Sequence, residues 1–391
     1  FVFVNHEFEN GIESFSEIGA YYSESNLNRH PSASFSTVRL RVPGDNYYNP
    51  YGVAGSPNRL PDVVNGVPIS IPAEGLELEI DNYRFAEVPR IVNTDAKVYR
   101  ILQGLRGSWG DNWDWDAAIL YNKAERNDVT SNRVSNNLMQ EALSDPTPAA
   151  YNPWGAGDPE RTNIDRALVD VRRDSETDLF LVDFKVSSAD LFDVWGGPVG
   201  MLAGAEYREE SFKDDRDDRL DGTITFTDWE GDTYPFVSDV VNSSPTPDSS
   251  GDRSVTSLFA ELAVPLFSTL DLQFALRYEN FSDVGSTTVP KIAFGWRPTE
   301  WFLLRGSWSE AFRAPNLVTI NESLVVRNNT RTDYLCQYAA DFGGDPDQDV
   351  LDCRNTIQRR AFGSKDLKPE KSDNYSIGTV LTPIPNLTMT I

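Results

Sequence analysis

Few residues of this chain are suited to covalent chemistry. Its only histidines, His6 and His30, lie in separate segments, and its only cysteines are Cys336 and Cys353. Neither a Ser-His-Asp arrangement nor a metal cluster can be assembled from them, and the carboxylates are too numerous for one acid–base pair to stand out. The sequence gives no positive support to an enzyme, and we predict no catalytic residue and no cofactor.

The two cysteines bracket a polar segment. A lone pair placed in this way indicates a disulfide formed in an oxidising compartment, and the alternative is a pair of free thiols. As a crosslink, Cys336–Cys353 would stabilise the fold by roughly 3 kcal/mol in the chain-entropy account.

Three acidic residues between the cysteines have the spacing of calcium ligands. Asp345, Asp347 and Asp349 occupy the first, third and fifth positions of a calcium loop. The sixth position is Val350 where such a loop requires glycine, and the twelfth is Thr356 where it requires glutamate. The triplet is a weak calcium candidate, and a solvated acidic loop is the favoured interpretation.

Acidic residues also dominate the segment between Arg219 and Arg253, which contains no basic residue. One interpretation is a vestibule that attracts cations or binds sugars. The other, which we favour, is a solubilising surface loop, because exposed runs of charge are common. The acids are Asp221, Asp228, Glu230, Asp232, Asp239, Asp248 and Asp252.

Two further segments join aromatic residues to an Asn-Pro turn. Tyr47, Tyr48 and Tyr51 surround the first turn, and Trp154 follows the second. Aromatic faces with polar neighbours suit sugar rings or the aromatic groups of siderophores. We therefore take these four residues and Trp229 as candidate ligand contacts. In the alternative interpretation the aromatics only pack the loops against the structure beneath them.

Alternation of apolar and polar residues, which is typical of β-strands, organises the rest of the chain. One such run contains Leu270, Leu272, Phe274, Leu276 and Tyr278. The runs extend over about nine to fourteen residues, whereas strands of soluble sheets average about five or six. About nine to eleven tilted residues cross a bilayer as a β-strand.

We predict about twelve strands. Their expected positions are 1–9, 13–25, 83–92, 96–109, 113–128, 166–188 (one long strand or two), 198–212, 253–266, 270–282, 286–298, 301–312, 373–383 and 386–391.

The connections between these strands alternate in length. Short turns alternate with long segments at 26–82, 130–165, 213–252 and 313–370. Compact soluble domains seldom contain such long loops, whereas outer-membrane barrels combine tight periplasmic turns with long extracellular loops. The pattern favours an all-β, antiparallel up-and-down transmembrane β-barrel, whose apolar face meets lipid and whose polar face lines a wet lumen.

Charge and composition exclude other classes. The net charge of −25 leaves no cationic stripe to neutralise a phosphate backbone, so we expect no nucleic acid partner. The aromatic share of 12 % argues against disorder. No apolar run approaches the length of a transmembrane helix.

The sequence LRGSWSEAFRAPNL at 304–317 is followed, after a long loop, by DLKPEKSDNYSIGTVL at 366–381. These two motifs resemble those of TonB-dependent outer-membrane receptors. In that family a strand ending in an FRAP-type motif precedes an LKPE motif that opens the next strand. Segments 200–212, 257–266 and 272–308 are similar to mid-barrel strands of the same family.

Alternation assigns a face to each residue of the FRAP strand. The expected lipid side carries Phe302, Leu304 and Trp308, and the expected lumen side carries Arg305, Ser307 and Ser309. Arg313 is expected to have a structural role, in which it pairs with a lumenal acid or caps a turn.

The resemblance implies about twelve strands of a larger, 22-stranded barrel with a plugged lumen, located in the outer membrane of a Gram-negative cell. It implies a receptor that binds a scarce, bulky nutrient (a ferric siderophore, cobalamin or an oligosaccharide) and imports it with energy from a TonB-type complex acting through the plug. We expect residues 1–391 to be an internal fragment of the barrel domain, without the plug and the C-terminal strands.

Two alternatives remain open at this point. One is a passive outer-membrane porin or secretion pore, which a loop folded into the lumen would favour. The other is a soluble β-sandwich that binds carbohydrate, in which the apolar face would pack on a second sheet.

Overall fold

Twelve strands form one antiparallel sheet, and their order in the sheet is their order in the chain. The computed structural model describes residues 1–34, 40–61, 63–80, 82–342 and 353–391. The strands of this sheet are β1 (Val2–Glu7), β2 (Glu13–Arg29), β3 (Arg90–Trp109), β4 (Trp113–Val134), β5 (Leu168–Ser188), β6 (Gly200–Arg216), β7 (Ser249–Phe267), β8 (Leu270–Phe281), β9 (Gly285–Thr299), β10 (Phe302–Arg313), β11 (Glu370–Ile384) and β12 (Leu387–Thr390). The up-and-down antiparallel arrangement predicted from the alternation is confirmed.

The predicted division of 83–92 and 96–109 into two strands is wrong, because Arg90–Trp109 is one strand. Asn93, Thr94 and Asp95 read as a turn in the sequence. In the structure they pair on both sides, with β2 and with β4. The segment 166–188 is likewise a single strand. Tertiary pairing overrides the weak strand propensity of asparagine and aspartate at these positions.

The register places all apolar runs on one face of the sheet. Trp308 of β10 lies opposite Ile292 of β9 and Tyr375 of β11, and Leu304 lies opposite Trp296. Since residues paired directly across two strands share a face, the alternation predicted for single strands extends across the whole sheet. We call the two sides the apolar face and the polar face.

Among the described residues no second sheet packs on the apolar face. Large apolar side chains at its centre are exposed, including Ile101, Ile119, Leu258 and Leu276. A sandwich would bury these residues against a partner sheet. The soluble β-sandwich alternative is therefore wrong.

Aromatic residues border the apolar face at both ends. At the end with the short turns, Trp109 stacks on Trp115 with ring centroids 5.9 Å apart. At the other end lie Tyr99, Tyr121 and Tyr207, each on the same face by register. At the usual rise per residue, Trp115 and Tyr121 are about 20 Å apart along β4. Two aromatic girdles around an apolar band about 25 Å tall characterise transmembrane barrels.

The longest strands continue past the Tyr121 level, where the same face becomes charged. Lys97, Glu125, Glu176 and Lys213 lie in one row across β3 to β6. β4 alone has 22 residues, which is about twice the number that a bilayer crossing needs. These strands therefore project beyond the apolar band on the side of the long loops.

Short elements are confined to the connections. The helices are α1 (Asn136–Leu143), α2 (Pro159–Thr162), α3 (Asp218–Asp221), α4 (Leu317–Asn321) and α5 (Tyr334–Phe342), with a 3-10 turn at Ile164–Ala167. The short strand pairs are Leu40–Val42 with Leu78–Ile80, Val63–Val64 with Val67–Pro68, Asp193–Val194 with Gly197–Pro198, Thr225–Thr227 with Thr233–Ser238, and Val325–Thr332 with Arg354–Ala361. No helix in the described parts of the chain is both long and apolar enough to cross a membrane.

Three of the long connections fold together into what we call the cap. They join β2 to β3, β4 to β5 and β6 to β7, and their apolar residues form one shared core. Phe85, Met139, Tyr151 and Phe226 are fully buried in it. The long connections are therefore not independent loops, because buried apolar residues of all three belong to one cluster.

Candidate ligand-facing site

The polar face carries a row of alternating charges near the short turns. Each of the neighbouring strands β2, β3, β4 and β5 contributes one residue to this row. In strand order the residues are Glu13, Arg106, Asp116 and Lys185, and each is the register partner of the next. The Nη2 atom of Arg106 lies 2.8 Å from Glu13 Oε1, and Lys185 Nζ lies 3.7 Å from Asp116 Oδ1. Oppositely charged cross-strand neighbours support this register and leave a hydrated, polar wall.

A second charged group lies on the polar face of β6 and β8, closer to the end of the sheet that carries the long connections. The Nε atom of Arg277 donates to Glu279 at 2.7 Å, and its Nη2 atom lies 3.4 Å from Glu206. Between these strands the buried Ser257 hydroxyl accepts from Arg277 at 3.1 Å. The charges of Glu206, Arg277 and Glu279 are thus paired with one another, and the group adds a polar, hydrogen-bonded patch to the wall.

The FRAP segment is anchored by a residue that we did not single out from the sequence. Arg253 of β7 donates from Nη2 to the carbonyl oxygen of Pro315 at 2.9 Å and from Nε to both oxygens of Asp283 at 2.9 and 2.8 Å. Its side chain is only 4 % exposed. Phe281 and Phe312 pack edge to face beside it, with centroids 5.4 Å apart. The anchor fixes the point where β10 ends and the long connection begins.

The FRAP and LKPE motifs also meet directly. Arg313 and Glu370 are register partners at the ends of β10 and β11, with Nη1 and Oε2 3.8 Å apart. The pair is exposed, as expected for a structural contact of modest strength. Gly363 packs so closely on α4 that a Cβ there would lie 2.7 Å from the carbonyl oxygen of Ile320. The two ends of the last long connection are thus held together at the wall.

A buried polar network ties the cap together. The Tyr151 hydroxyl donates to Glu87 at 2.7 Å and lies 3.0 Å from the Tyr83 hydroxyl. Burial of the ring, followed by the nearby Tyr83, raises the pKa of Tyr151 above its usual range. Burial likewise raises the pKa of Tyr83. Both phenols therefore stay neutral, and they act as hydrogen-bonding groups that join two of the connections.

The asparagine of each Asn-Pro turn has a structural role. The buried Asn49 donates to the carbonyl oxygens of Pro43 and Leu76 at 3.0 and 2.8 Å and accepts from the Tyr51 N–H. Asn152 accepts from the Trp154 N–H at 3.0 Å. Each side chain closes a local turn, in which it replaces a backbone acceptor. The turns thereby fix the position of the aromatic residue that follows.

The predicted ligand contacts occupy different positions on the cap. Tyr47 and Tyr48 pack edge to face at 4.9 Å, and both are half-buried, as is Tyr51. Trp154 is 47 % exposed and Trp229 is 41 % exposed. The guanidinium of Arg41 lies 4.2 Å above the Trp229 ring. Among the described residues, the ring contacts and hydrogen bonds of Trp154 and Trp229 do not involve the three tyrosines.

One acid of the segment between Arg219 and Arg253 is buried in the cap, and another forms hydrogen bonds within its own hairpin turn. Asp239 is fully buried, pairs with Arg219 and accepts from the hydroxyl of Ser135, which caps α1, at 2.8 Å. Asp228 accepts from the N–H groups of Glu230 and Asp232 and from the Tyr234 hydroxyl. This last bond raises the pKa of Tyr234 to about 12.

The turn from Asp228 to Asp232 brings three carboxylates together, with candidate ligand atoms of Asp228, Glu230 and Asp232 within 4.8 Å of one another. The hydrogen bonds to Asp228 already account for the shape of the turn. Its place on an exposed hairpin tip agrees with the solvated-loop interpretation.

The last connection contains the two cysteines. Cys336 of α5 and Cys353 are joined by a disulfide, with their Cα atoms 5.5 Å apart. The bond links α5 to the hairpin formed by Val325–Thr332 and Arg354–Ala361. Asp345, Asp347 and Asp349, the weak calcium candidate, lie outside the described residues.

Comparison with known proteins identifies the class that this wall and cap define. Residues 21–391 match the family model described as TonB dependent receptor-like, beta-barrel. The chain therefore belongs to the TonB-dependent receptor β-barrel family, which is a family of outer-membrane proteins. An apolar face bordered by two aromatic girdles and a polar opposite face are features typical of such barrels.

Individual relatives are distant. The chain is 25 % identical over 188 residues to the probable TonB-dependent siderophore receptor PirA of Acinetobacter baumannii, a match that covers 46 % of this chain and 20 % of that receptor. A mutant of the ferric enterobactin receptor PfeA of Pseudomonas aeruginosa is 14 % identical, with a TM-score of 0.46 and coverage of 98 % of this chain and 48 % of that one. The RagAB peptide transporter is 11 % identical, with a TM-score of 0.45 and coverage of 96 % and 37 %. The chain spans less than half the length of each of these relatives.

Proposed function

We propose that this chain is part of the barrel of an outer-membrane receptor that binds a bulky nutrient and imports it with energy supplied by a TonB-type complex. The nutrient would be a ferric siderophore, cobalamin or an oligosaccharide. The observation that carries the proposal is an amphipathic wall of family-specific sequence, whose polar face holds paired charges and whose loop end supports a folded cap.

The wall would separate lipid from a hydrated passage. Its apolar face is bordered by aromatics at both ends, while its polar face carries the Glu13–Arg106 and Arg277–Glu279 ion pairs. β1 and β12 are edge strands of the sheet. An unpaired strand edge is unfavourable in a bilayer. We therefore propose that further strands pair with these edges and that a plug domain occupies the lumen and contacts the energising complex.

The cap would receive the ligand before it enters the passage. Its three connections share one core, which supports a preorganised surface and not a set of independent loops. The aromatic residues Tyr47, Tyr48, Tyr51, Trp154 and Trp229 remain our proposed ligand contacts on this surface.

An uptake assay in the native cell tests the proposal. Cells with and without the intact gene would be supplied with labelled ferric siderophores, cobalamin or oligosaccharides under limitation for iron, cobalamin or carbon. We expect one class to accumulate only when the gene is present, and accumulation to stop when a protonophore collapses the inner-membrane gradient. Gene-dependent accumulation that continues after the protonophore would instead indicate the passive pore.

A further inference from the structure

Four arginines gather where the polar face meets the cap. Arg29 ends β2 and Arg90 begins β3, and the two are direct register partners. Arg84 lies in the cap segment that leads into β3. Arg133 lies near the end of β4, beyond a register shift, and pairs with Val169 of β5. We call these residues the arginine cluster.

Like charges placed directly opposite each other across two strands are destabilising. The effect is visible at Arg90, whose pKa is lowered first by burial and then by the charges of Arg29 and Arg84. Burial, followed by the charge of Arg90, lowers the pKa of Arg133 to about 10. Geometry places the other arginines around Arg90: Arg29 is its register partner, and Asn132, next to Arg133, donates to the carbonyl oxygen of Pro89, next to Arg90, at 2.9 Å.

No carboxylate in the described parts of the chain forms an ion pair with any of the four. This is unusual for the molecule, because the chain has a net charge of −25 and many other arginines of the wall are paired. Arg106 has Glu13, Arg277 has Glu279, and Arg173 has Asp214 at 2.7 Å. The cluster is thus a concentrated positive field in an acidic protein.

The cluster is held in place by backbone acceptors that use only part of its donor capacity. Arg90 Nε donates to the His30 carbonyl oxygen at 2.7 Å, and Arg84 Nη1 donates to that of Pro31 at 3.2 Å. Arg133 Nη2 donates to the Val241 carbonyl oxygen at 3.1 Å, while its Nε atom is buried without a partner. A guanidinium offers several further N–H donors in a planar fork.

We propose that the arginine cluster is an oxyanion-binding site at the mouth of the lumen, built for a ligand that presents a phosphate or carboxylate group. Guanidinium forks match both groups in a bidentate geometry. Binding would relieve the repulsion within the cluster, and the backbone contacts already fix three of the four side chains. The site requires no import step, so it stands independently of the transport mechanism proposed above.

Calorimetric titration of the full-length receptor in detergent tests the site, with pyrophosphate and citrate as separate probes. We expect at least one probe to bind, with an affinity that falls as sodium chloride is raised. Tighter binding of pyrophosphate would assign a phosphate ligand, and tighter binding of citrate a carboxylate ligand. In Arg90→Gln and Arg133→Gln we expect the affinity to fall at least tenfold.

Arg305→Gln is the matched control, because Arg305 is an exposed arginine on the polar face of β10, away from the cluster. The affinity of the Arg305→Gln variant for pyrophosphate and citrate should equal that of the wild type. Heat-dependent electrophoretic mobility would establish that each variant retains a folded barrel.

Two results would overturn the inference. One is the absence of binding by the wild-type receptor at millimolar probe, which would mean that a carboxylate of the protein itself neutralises the cluster. The other is equal binding by the wild type and both cluster variants. Binding that survives while gene-dependent uptake fails would contradict the proposed transport function and leave this site in place.

Discussion

Arg253 donates a hydrogen bond to the carbonyl oxygen of Pro315, across 62 residues of sequence, and so fixes the end of the FRAP strand to β7. Its guanidinium is almost completely buried and also engages both oxygens of Asp283. The sequence motif and the wall are therefore joined by a side chain outside the motif.

We expect Arg253→Ala to destabilise the receptor by about 3–5 kcal/mol, because it leaves Asp283 as a nearly buried carboxylate without its partner. Denaturant unfolding of the full-length receptor, with hydrogen exchange at Ala311–Ile320, measures the effect.

The matched control for Arg253 is Arg313→Ala. Arg313 and Glu370 are 77 % and 75 % exposed in their side chains, so the loss should be only about 0–1 kcal/mol. Equal losses for the two variants would show that the motif is held by its own arginine and not by Arg253.

Tyr151 gives a test of the cap as one folded unit. Tyr151→Phe keeps the ring in the core but removes the hydroxyl that serves Glu87 and Tyr83, and we expect a local loss of about 1–3 kcal/mol. Hydrogen exchange should then increase in all three connections of the cap, because they share one core.

Tyr48→Phe is the control for that substitution. Its hydroxyl donates to the Pro148 carbonyl oxygen at a more exposed position, so its removal should change exchange only locally. An increase confined to the segment around Tyr151 in the first variant would mean that the connections open independently.

Asp145 should make part of the cap sensitive to acid. Its carboxylate accepts from the Thr147 side chain and backbone and pairs with Arg166 at 2.6 Å, which lowers its pKa to about 2. Because the folded-state pKa lies below that of an unfolded chain, this contact stabilises the cap at neutral pH. The stabilisation declines as the pH falls from about 4 to about 2.

We therefore expect Asp145→Asn to speed exchange at Ala142–Ile164 at pH 7, with a difference from the wild type that narrows below pH 4. Asp165→Asn, in the same connection, serves as the control. A difference that persists unchanged at pH 2.5 would exclude the carboxylate as the cause.

The sequence predicts the strands well where apolar and polar residues alternate strictly, and poorly where they do not. Within the apolar band, residues such as Leu272 and Phe294 alternate with residues of the polar face, so each strand shows its two faces without knowledge of its neighbours. Beyond that band β3 loses its clean alternation, and the run of Asn93, Thr94 and Asp95 reads as a turn although it is paired on both sides.

The cap was harder to predict for a different reason. Its core forms only when three connections come together, so no single segment shows a period of its own. Tyr151 reads as a surface aromatic beside an Asn-Pro turn, yet it is fully buried. The acids around Asp239 read as a solvated run, yet Asp239 is buried against Arg219 and Ser135.

Substitution of Trp154 and of Trp229 distinguishes a role in ligand binding from a role in stability. Trp154 is exposed and its ring makes no described aromatic contact, so Trp154→Ala should change stability by less than about 0.5 kcal/mol. Because we propose that the Trp154 ring is a platform for the ligand, its removal should raise the ligand concentration for half-maximal uptake about tenfold. Trp229→Ala should also loosen the cap, because it removes the surface on which Arg41 lies.

Uptake titration and thermal unfolding of the same two variants distinguish these roles. Unchanged uptake by both variants would remove the two tryptophans from the ligand surface.

The central claim is that one face of the wall meets lipid while the other face lines a hydrated lumen. Site-directed spin labelling along β8 tests this claim most directly. Single cysteines would replace each residue from Leu270 to Tyr278 in a receptor whose native cysteines remain disulfide-bonded, and the receptor would be reconstituted in bilayers. We predict that labels at Leu272, Phe274 and Leu276 are relaxed by oxygen, whereas those at Gln273, Ala275 and Arg277 are relaxed by a water-soluble nickel complex. Uniform accessibility to the nickel complex along the strand would contradict the account.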